Sequence, residues 1–383
     1  MKKEACYQGV ETGPIRPPSE AGSLMLRITR NCPWNKCKFC GLYKGKKFSI
    51  RSVDHIKQDI EIIRKNIDQI TTAMAPGDSV SQDLMPLVKG TTGQKRFAFY
   101  SALNWYRGGM ASVFLQDANT LIIKPDDLVE ILNYLRHQFP EIQRITSYAR
   151  SHTIARISDA DMERFAAAGL NRIHIGMESA ADEVLDFVKK GVDKKTHITA
   201  GQRVKRAGIE LSEYFMPGLG GAEFSKKNAL ETADAMNQID PDFIRIRTLA
   251  ITDSSELAKD VQAGRFIPLN DPDTARELLM FLEGLDGITS AVKSDHILNL
   301  FQEVDGQLPA DKAAITAPIK KFLAMAPGQQ MIYRVGRRAG IFSTLDDLNS
   351  PELMAQAEAA RKRYGVTVNT VDAFTETIIK QFI

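Results

Sequence analysis

The chain has 383 residues, 43% of them hydrophobic and 25% charged, enough for one large core plus a smaller appended domain. Its 50 basic and 47 acidic side chains leave a formal net charge of +3, which gives no overall field for gripping nucleic acid, so a nucleic-acid partner is not expected. No apolar stretch reaches the roughly 18 to 20 residues of a bilayer span, and the opening MKKEACYQGVETGPIRPP lacks the apolar core of a secretory signal, so a cytoplasmic protein without membrane attachment is expected.

In chain order, residues 1–22 read as an extended N-terminal arm broken by glycine and proline. Residues 24–29 (LMLRIT) form the first strand signal. The stretch 71–109 holds Pro76, Gly77, Pro86, Gly90 and Gly93, then Phe97, Phe99, Tyr100, Trp105 and Tyr106, and reads as an inserted loop or lid. Strand runs follow at 111–116, 145–149, 172–177, 210–216 and 243–249, with amphipathic helical patterns between them. Ser158 with Asp161 resembles a capping box, while Gly169 and Gly208 sit where helices hand over to strands. Six such βα units predict an α/β fold, either a doubly wound sheet or a partial barrel, and both place active residues at the C-terminal strand ends. Past Asp253 the strand signal fades, and 273–285, 310–326, 351–364 and 371–382 read as helices. The expected organisation is an arm at 1–22, an α/β domain at 23–253 and a helical C-terminal domain at 254–383.

Three of the four cysteines crowd into a C-x4-C-x2-C loop, Cys32, Cys37 and Cys40, directly after the first strand. That pattern is unlike a secreted disulfide framework and points to ligation or redox chemistry. Three thiolates can hold three irons of a cubane cluster, leaving a fourth iron for an exogenous ligand. A structural zinc site is the alternative, but it needs a fourth protein ligand, and neither Cys6 nor a histidine stands at short zinc-finger spacing.

With this loop after its first strand and Phe39 just before the last cysteine, the sequence resembles the radical SAM (S-adenosylmethionine) superfamily. Its members typically carry C-x3-C-x2-C in that position; the extra residue here is a subfamily mark. The resemblance extends over about 24–249 and implies a partial (β/α)6 TIM-type barrel with a helical C-terminal domain. It also implies a [4Fe–4S] cluster on Cys32, Cys37 and Cys40, with the methionyl group of SAM on the open iron. Phe39 would meet the adenine through its backbone. The turn Gln116, Asp117, Ala118 and Asn119 takes the place where the family contacts the methionyl amino group. Ser147, Arg150 and Glu178 end the third and fourth strands as candidates for the nucleoside and carboxylate, with a structural ion pair as the other reading of Arg150 and Glu178. Residues 217–221 (PGLGG) are similar to the family's glycine turn. Arg245 and Arg247 share a face by period-two alternation and are expected to point inward, Arg247 towards the cofactor and Arg245 towards the substrate.

The activity so implied is reductive cleavage of SAM to a 5′-deoxyadenosyl radical, which abstracts hydrogen from a small-molecule substrate. Clusters of this kind reach down to about −700 mV, and an acidic donor such as flavodoxin or ferredoxin would supply the electron. Lys36, Lys38, Lys44, Lys46, Lys47 and Arg51 lie in a run without acidic residues. They read as a donor-docking surface, an attractor of anionic substrate or a solvated loop. Ser294 to Asn299 reads as the opening of a helix whose Asp295 and His296 are candidate substrate ligands, with a capping role for Ser294 or Asp295 and a satisfied histidine as the other reading. No second cysteine cluster and no Asp-x-His-x-x-Gly cobalamin segment is present. Two other functions stay open: a non-enzymatic haem or cofactor carrier of the coproporphyrinogen-oxidase-like type, and a zinc-stabilised binding module.

Overall fold

Short β-branched strands alternate with amphipathic helices through the first two thirds of the chain, and helices dominate the rest. The computed structural model describes residues 6–74, 85–89 and 91–382. Pro76, Gly77 and Gly90 lie outside them. The fold is α/β, with a mostly parallel sheet of eight strands among the described residues. Two compact units are distinguished, one drawing on Met1–Pro33, Gly45–His174 and Arg203–Glu210, the other on Trp34–Lys44, Ile175–Gln202 and Leu211–Ile383.

In the first unit, β1 (Leu24–Arg27), β2 (Thr29–Arg30) and β3 (Ser49–Ile50) precede α1 (Val53–Ala73), α2 (Met85–Val88) and α3 (Gly93–Arg107). The strand expected at 24–29 breaks at Ile28, whose carbonyl accepts from Arg51 N at 3.1 Å, so β2 pairs antiparallel with β3 outside the main sheet. Helix α1 is N-capped by Ser52 and buries Ile56, Ile60, Ile63, Ile67 and Ile70, a stripe at three-to-four-residue spacing. The loop or lid read at 71–109 is corrected at 93–107, which is helix α3. Ala98, Phe99, Ala102, Leu103 and Trp105 form its buried stripe, and Trp105 Nε1 donates to Ser112 O at 2.8 Å. Of the aromatic cluster, Phe99 and Trp105 lie on the helix's buried face, while Phe97 and Tyr100 are exposed.

Next come β4 (Ser112–Gln116), α4 (Pro125–Gln138), β5 (Arg144–Ala149), α5 (Ser151–Ile154), α6 (Asp159–Ala167) and β6 (Leu170–Glu178). β1 pairs parallel with β4, and β4 with β5. Ser158 Oγ accepts from Asp161 N at 3.1 Å, the cap that its spacing predicts.

The second unit holds α7 (Asp182–Phe187), most of α8 (Lys194–Arg206) and of β7 (Glu210–Phe215), then α9 (Gly221–Ile239), β8 (Phe243–Ile246), α10 (Glu256–Gln262), α11 (Asp271–Gly284), β9 (Ala291–Lys293) and β10 (Gly306–Gln307). β7, β8 and β9 run parallel and β10 closes antiparallel on β9. Helices α12 (Lys312–Ala324), α13 (Pro327–Arg338), α14 (Pro351–Arg363) and α15 (Val371–Ile379) complete it. The expected helix at 310–326 ends at Ala324, and Pro327 opens α13 at its first turn. α13 escapes an apolar-period reading because it buries Arg334, Arg337 and Arg338 beside Ile332 and Val335. Among the described residues no helix is long and apolar enough to cross a membrane.

Candidate functional site

Cys32 follows β2 in the first unit, whereas Cys37 and Cys40 lie in the 34–44 segment of the second. All three are half-buried and none is in a disulfide. The segment is pinned at several points. Lys38 N donates to Val188 O (2.9 Å), Leu257 N to Lys38 O (3.0 Å) and Trp34 Nε1 to Lys189 O (2.7 Å). Gly191, at φ +71, leaves the space that the Trp34 ring fills, and a Cβ there would collide with it. Phe39 packs against Ala181, Val184, Val188, Met216 and Leu219, with Lys190 Nζ 5.6 Å from its ring centroid. Cys37 and Cys40 therefore sit on a braced loop. Among the described residues no three His, Cys, Asp or Glu side chains gather about a single ion; a cubane asks for something else, one thiolate on each of three separate irons, and this donor set fits that demand.

The basic run is largely spent inside the protein. Lys38 pairs with Asp260 (2.8 Å), Lys44 with Glu256 (3.1 Å), and buried Arg51 with Asp59 (2.6 Å) and Glu11 (3.0 Å). Only Lys36, Lys46 and Lys47 of the six are exposed, so the docking surface read from the run as a whole is corrected to at most these three. Glu11, in the N-terminal arm, also pairs with Arg27 and Arg30. Burial alone would raise its pKa, but the hydrogen bond from Arg30 and the charges of Arg51 and Arg27 hold the carboxyl below its usual range.

At the C-terminal end of β4 the expected cofactor turn is occupied by structural bonds. Gln116 Oε1 accepts from Gly13 N (2.8 Å) and its Nε2 donates to Ile15 O (2.6 Å), fastening the arm. Asp117 Oδ2 accepts from Arg27 Nη2 (2.7 Å) and from Asn31 N (3.2 Å), the residue before Cys32. Asn119 Oδ1 accepts from Arg150 N (2.9 Å) while its Nδ2 donates to Thr153 Oγ1 (2.8 Å). Gln116, Asp117 and Asn119 are buried, and Ala118 between them is half-buried. Ser147 is buried and donates to Tyr148 O (3.1 Å), and half-buried Arg150 caps α5. The side chains of Gln116, Asp117 and Asn119 are thus engaged within the protein, while Arg150 stands at the α5 N-cap without a side-chain capping bond.

The end of β6 behaves differently. Glu178 adopts φ +67, a left-handed conformation that costs a non-glycine residue free energy and marks strained functional positions. Its Oε1 lies 3.7 Å from Lys190 Nζ, and its buried Oε2 has no hydrogen-bond partner. Gly176 makes room for this fold-back, since a Cβ there would stand 2.5 Å from Glu178 Oε1. Nearby Glu213 on β7 is fully buried with neither carboxyl oxygen hydrogen-bonded. Burial raises its pKa well above the ordinary value; Lys190 opposes that, Glu178 adds to it, and the backbone of Met177 also lowers it. Sequence reading missed Lys190 and Glu213; a glutamate in the middle of the apolar run ELSEYFM was the available signal.

At β8, Arg245 is buried, donates to Ser212 Oγ (3.2 Å) and forms an ion pair with Asp295. The shared inward face is corrected: the strand ends at Ile246, and Arg247 is exposed. The helix expected at Ser294 is absent as well. Ser294 Oγ donates to Phe301 O (2.6 Å) and Asn299 Nδ2 to Ile246 O (2.8 Å), so the polar side chains tie irregular backbone in place of a first helical turn. His296 is half-buried, and burial, then the charge of Arg247, lowers its pKa to about 4.

Comparison with protein families matches residues 26–233, more than half of the chain, to the Radical SAM superfamily. The tRNA uridine(34) acetyltransferase of Methanocaldococcus infernus is 24% identical over 155 residues, 38% of this chain and 29% of that enzyme. That of Methanocaldococcus jannaschii is 24% identical over 129 residues, 33% and 24% of the two chains, so the chain spans less than a third of either relative. Among solved structures, methylornithine synthase aligns with 77% of this chain and 69% of its own at 12% identity and TM-score 0.42.

Proposed function

The chain belongs to the radical SAM superfamily, and from that premise we propose that it is an enzyme that cleaves S-adenosylmethionine reductively and abstracts hydrogen from a small-molecule substrate. Members hold a [4Fe–4S] cluster and SAM. The observation that carries the reading is the set of three half-buried cysteines, none in a disulfide, within the matched segment. Cys32, Cys37 and Cys40 would hold the cluster, which when bound supplies the low-potential electron for sulfonium cleavage and so for a 5′-deoxyadenosyl radical. Asp117 fixes the backbone ahead of Cys32 through Asn31 N, and the bonds of Lys38 fix the backbone between Cys37 and Cys40. Glu178 and Lys190 offer one anionic and one cationic group, matching the ammonium or ribose hydroxyls and the carboxylate of SAM. Phe39 and its apolar neighbours exclude water from that corner. Exposed Lys36, Lys46 and Lys47 are left for an acidic electron donor such as flavodoxin or ferredoxin, and a reducing cytoplasm suits the thiols.

Anaerobic reconstitution with iron and sulfide tests the reading. Expected are cubane absorption and paramagnetic signals, then 5′-deoxyadenosine on adding dithionite and SAM, with both lost in a Cys32→Ala, Cys37→Ala, Cys40→Ala variant. Normal cluster assembly in that variant, or zinc without sulfide in the wild type, overturns it. A tRNA substrate is the second reading, favoured by the aligned tRNA-modifying relatives; saturable retention of tRNA at physiological salt would support it, and its absence would remove it.

A further inference from the structure

The segment 294–300 is held more firmly than irregular backbone usually is. Arg338 Nη1 donates to Leu298 O (2.7 Å), Arg337 Nη2 to Asn299 O (2.8 Å), and Arg337 Nε and Tyr333 Oη to Leu300 O (3.0 and 2.9 Å). From the other side, Asn299 reaches β8, its Oδ1 accepting from Thr248 N at 3.0 Å and its Nδ2 donating to Ile246 O. Taking a guanidinium out of water costs several kcal/mol, yet Arg334, Arg337 and Arg338 are 4%, 9% and 5% exposed. Asp271 neutralises Arg334 and Arg338 (2.8 and 2.6 Å). Arg337 gives its bonds to carbonyls of Asn299, Leu300 and Phe342 instead. Charged groups committed in this way to a loop fix what the loop presents.

It presents His296 beside the end of β8. His296 Nδ1 accepts from Leu298 N at 3.3 Å, which assigns the ring proton to Nε2 and makes that atom a donor. Burial keeps the ring neutral. Asp295, the carboxylate next to it in sequence, is matched by Arg245. Arg247 is exposed and makes no ion pair among the described residues, while its own N is fixed by Phe215 O at 2.9 Å. An exposed cation on anchored backbone remains, and with it a neutral N–H donor on a loop that Asn299 and Asp295 tie to β8.

We propose that Arg247 and His296 form an oxyanion site, in which Arg247 supplies the charge and His296 Nε2–H a directed hydrogen bond to a carboxylate or phosphate of the small-molecule substrate. The inference rests on the radical SAM reading for calling that anion part of a substrate. The site recognises the oxygens and not the atom that carries them, so both sources are tested.

The full chain, labelled in its histidine side chains, is titrated with inorganic phosphate and separately with acetate at constant ionic strength, and the His296 imidazole signal, assigned with His296→Gln, is followed by NMR. A saturable displacement by phosphate, acetate or both is expected, with affinity about tenfold weaker in Arg247→Gln, and the preferred anion names the group. The other histidine signals report whether the variant keeps its fold. No displacement at millimolar anion, or an identical curve in folded Arg247→Gln, overturns the site. Neither cluster nor SAM enters the measurement, so its failure is distinct from a failure of cluster assembly.

Discussion

Two sets of buried polar side chains at strand ends obey opposite rules. At the end of β4, Gln116, Asp117 and Asn119 are each engaged by backbone or by an opposite charge. At β6 and β7, Glu178 keeps a buried oxygen without a partner and Glu213 keeps two. A buried polar group left unsatisfied costs about 1 to 3 kcal/mol, more if charged. The first set is therefore scaffold, and the second is tolerated for a reason other than stability. Binding sites are where such groups belong, because a ligand completes them.

The sharpest test removes a member of the scaffold set. Asp117→Ala strips one of two carboxylate partners from Arg27, whose side chain is 14% exposed, and the acceptor from Asn31 N. Breaking a buried ion pair on one side costs about 3 to 5 kcal/mol, and because Glu11 stays 3.2 Å from Arg27 the lower end of that range is expected. Urea denaturation should report a loss of that size, and cluster loading should fall with it because the backbone before Cys32 is released. A stability within experimental error of the wild type would dissolve the distinction drawn between the two strand ends.

Buried carboxyls that lack full partnership carry a different signature. Glu277 is buried, with Oε1 accepting from Gly218 N (2.8 Å) and Asn228 Nδ2 (2.7 Å), and burial pushes its pKa from 4.5 up to about 7 despite these bonds. A carboxyl raised in the folded state stabilises fully below its unfolded pKa and loses that contribution as pH climbs through the folded one. Between pH 4.5 and about 7 the loss amounts to about 3 kcal/mol at 1.36 kcal/mol per unit. Glu277→Gln keeps an acceptor at Oε1 and should flatten that slope, overtaking the wild type in urea stability above neutral pH. Glu213→Gln should do the same from the usual carboxylate range upward. If either variant is less stable than the wild type at every pH from 5 to 8, the carboxylate is partnered and belongs with Asp117.

The sequence carried the α/β class, the six principal strands and the cysteine loop, because each is written in local pattern: β-branched runs, helix punctuation, and thiols at fixed spacing. Other features depend on what lies far along the chain. Asp117 and Glu178 look alike as acidic residues at strand ends, and partners far off in sequence, Arg27 ninety positions before Asp117 and Asn31 N, make one of them structural. α13 has no local signal and the 294–299 helix expectation fails for one reason, since the buried arginines of α13 take the carbonyls of that segment. Periodicity rules assume apolar cores, and this corner is built from guanidinium groups.

A smaller loss is expected from Asn119→Ala, which leaves Arg150 N and Thr153 Oγ1 without the partner they share. Both bonds are neutral, so about 1 to 3 kcal/mol is expected in the same denaturation assay. A value equal to that of Asp117→Ala would mean that charge adds nothing at this strand end, contrary to the reading of Arg27.

Smallest in stability, and most telling, is Glu178→Gln. Its one ion pair among the described residues, with Lys190, is 3.7 Å long, beyond hydrogen-bond reach, and glutamine keeps the side chain's shape, so the loss of folding stability should be smaller than in Asp117→Ala. If the unsatisfied oxygen waits for a ligand, the cost reappears in binding: a charge-assisted hydrogen bond is worth about 1.5 to 3 kcal/mol, and equilibrium dialysis on the reconstituted protein should show SAM held about tenfold or more weaker. The pair of readouts separates the two explanations of Glu178. A structural carboxylate would lose stability and leave SAM affinity alone, whereas a ligand-completed one does the reverse, and the strained φ of +67 then has its reason in aiming that oxygen at the cofactor.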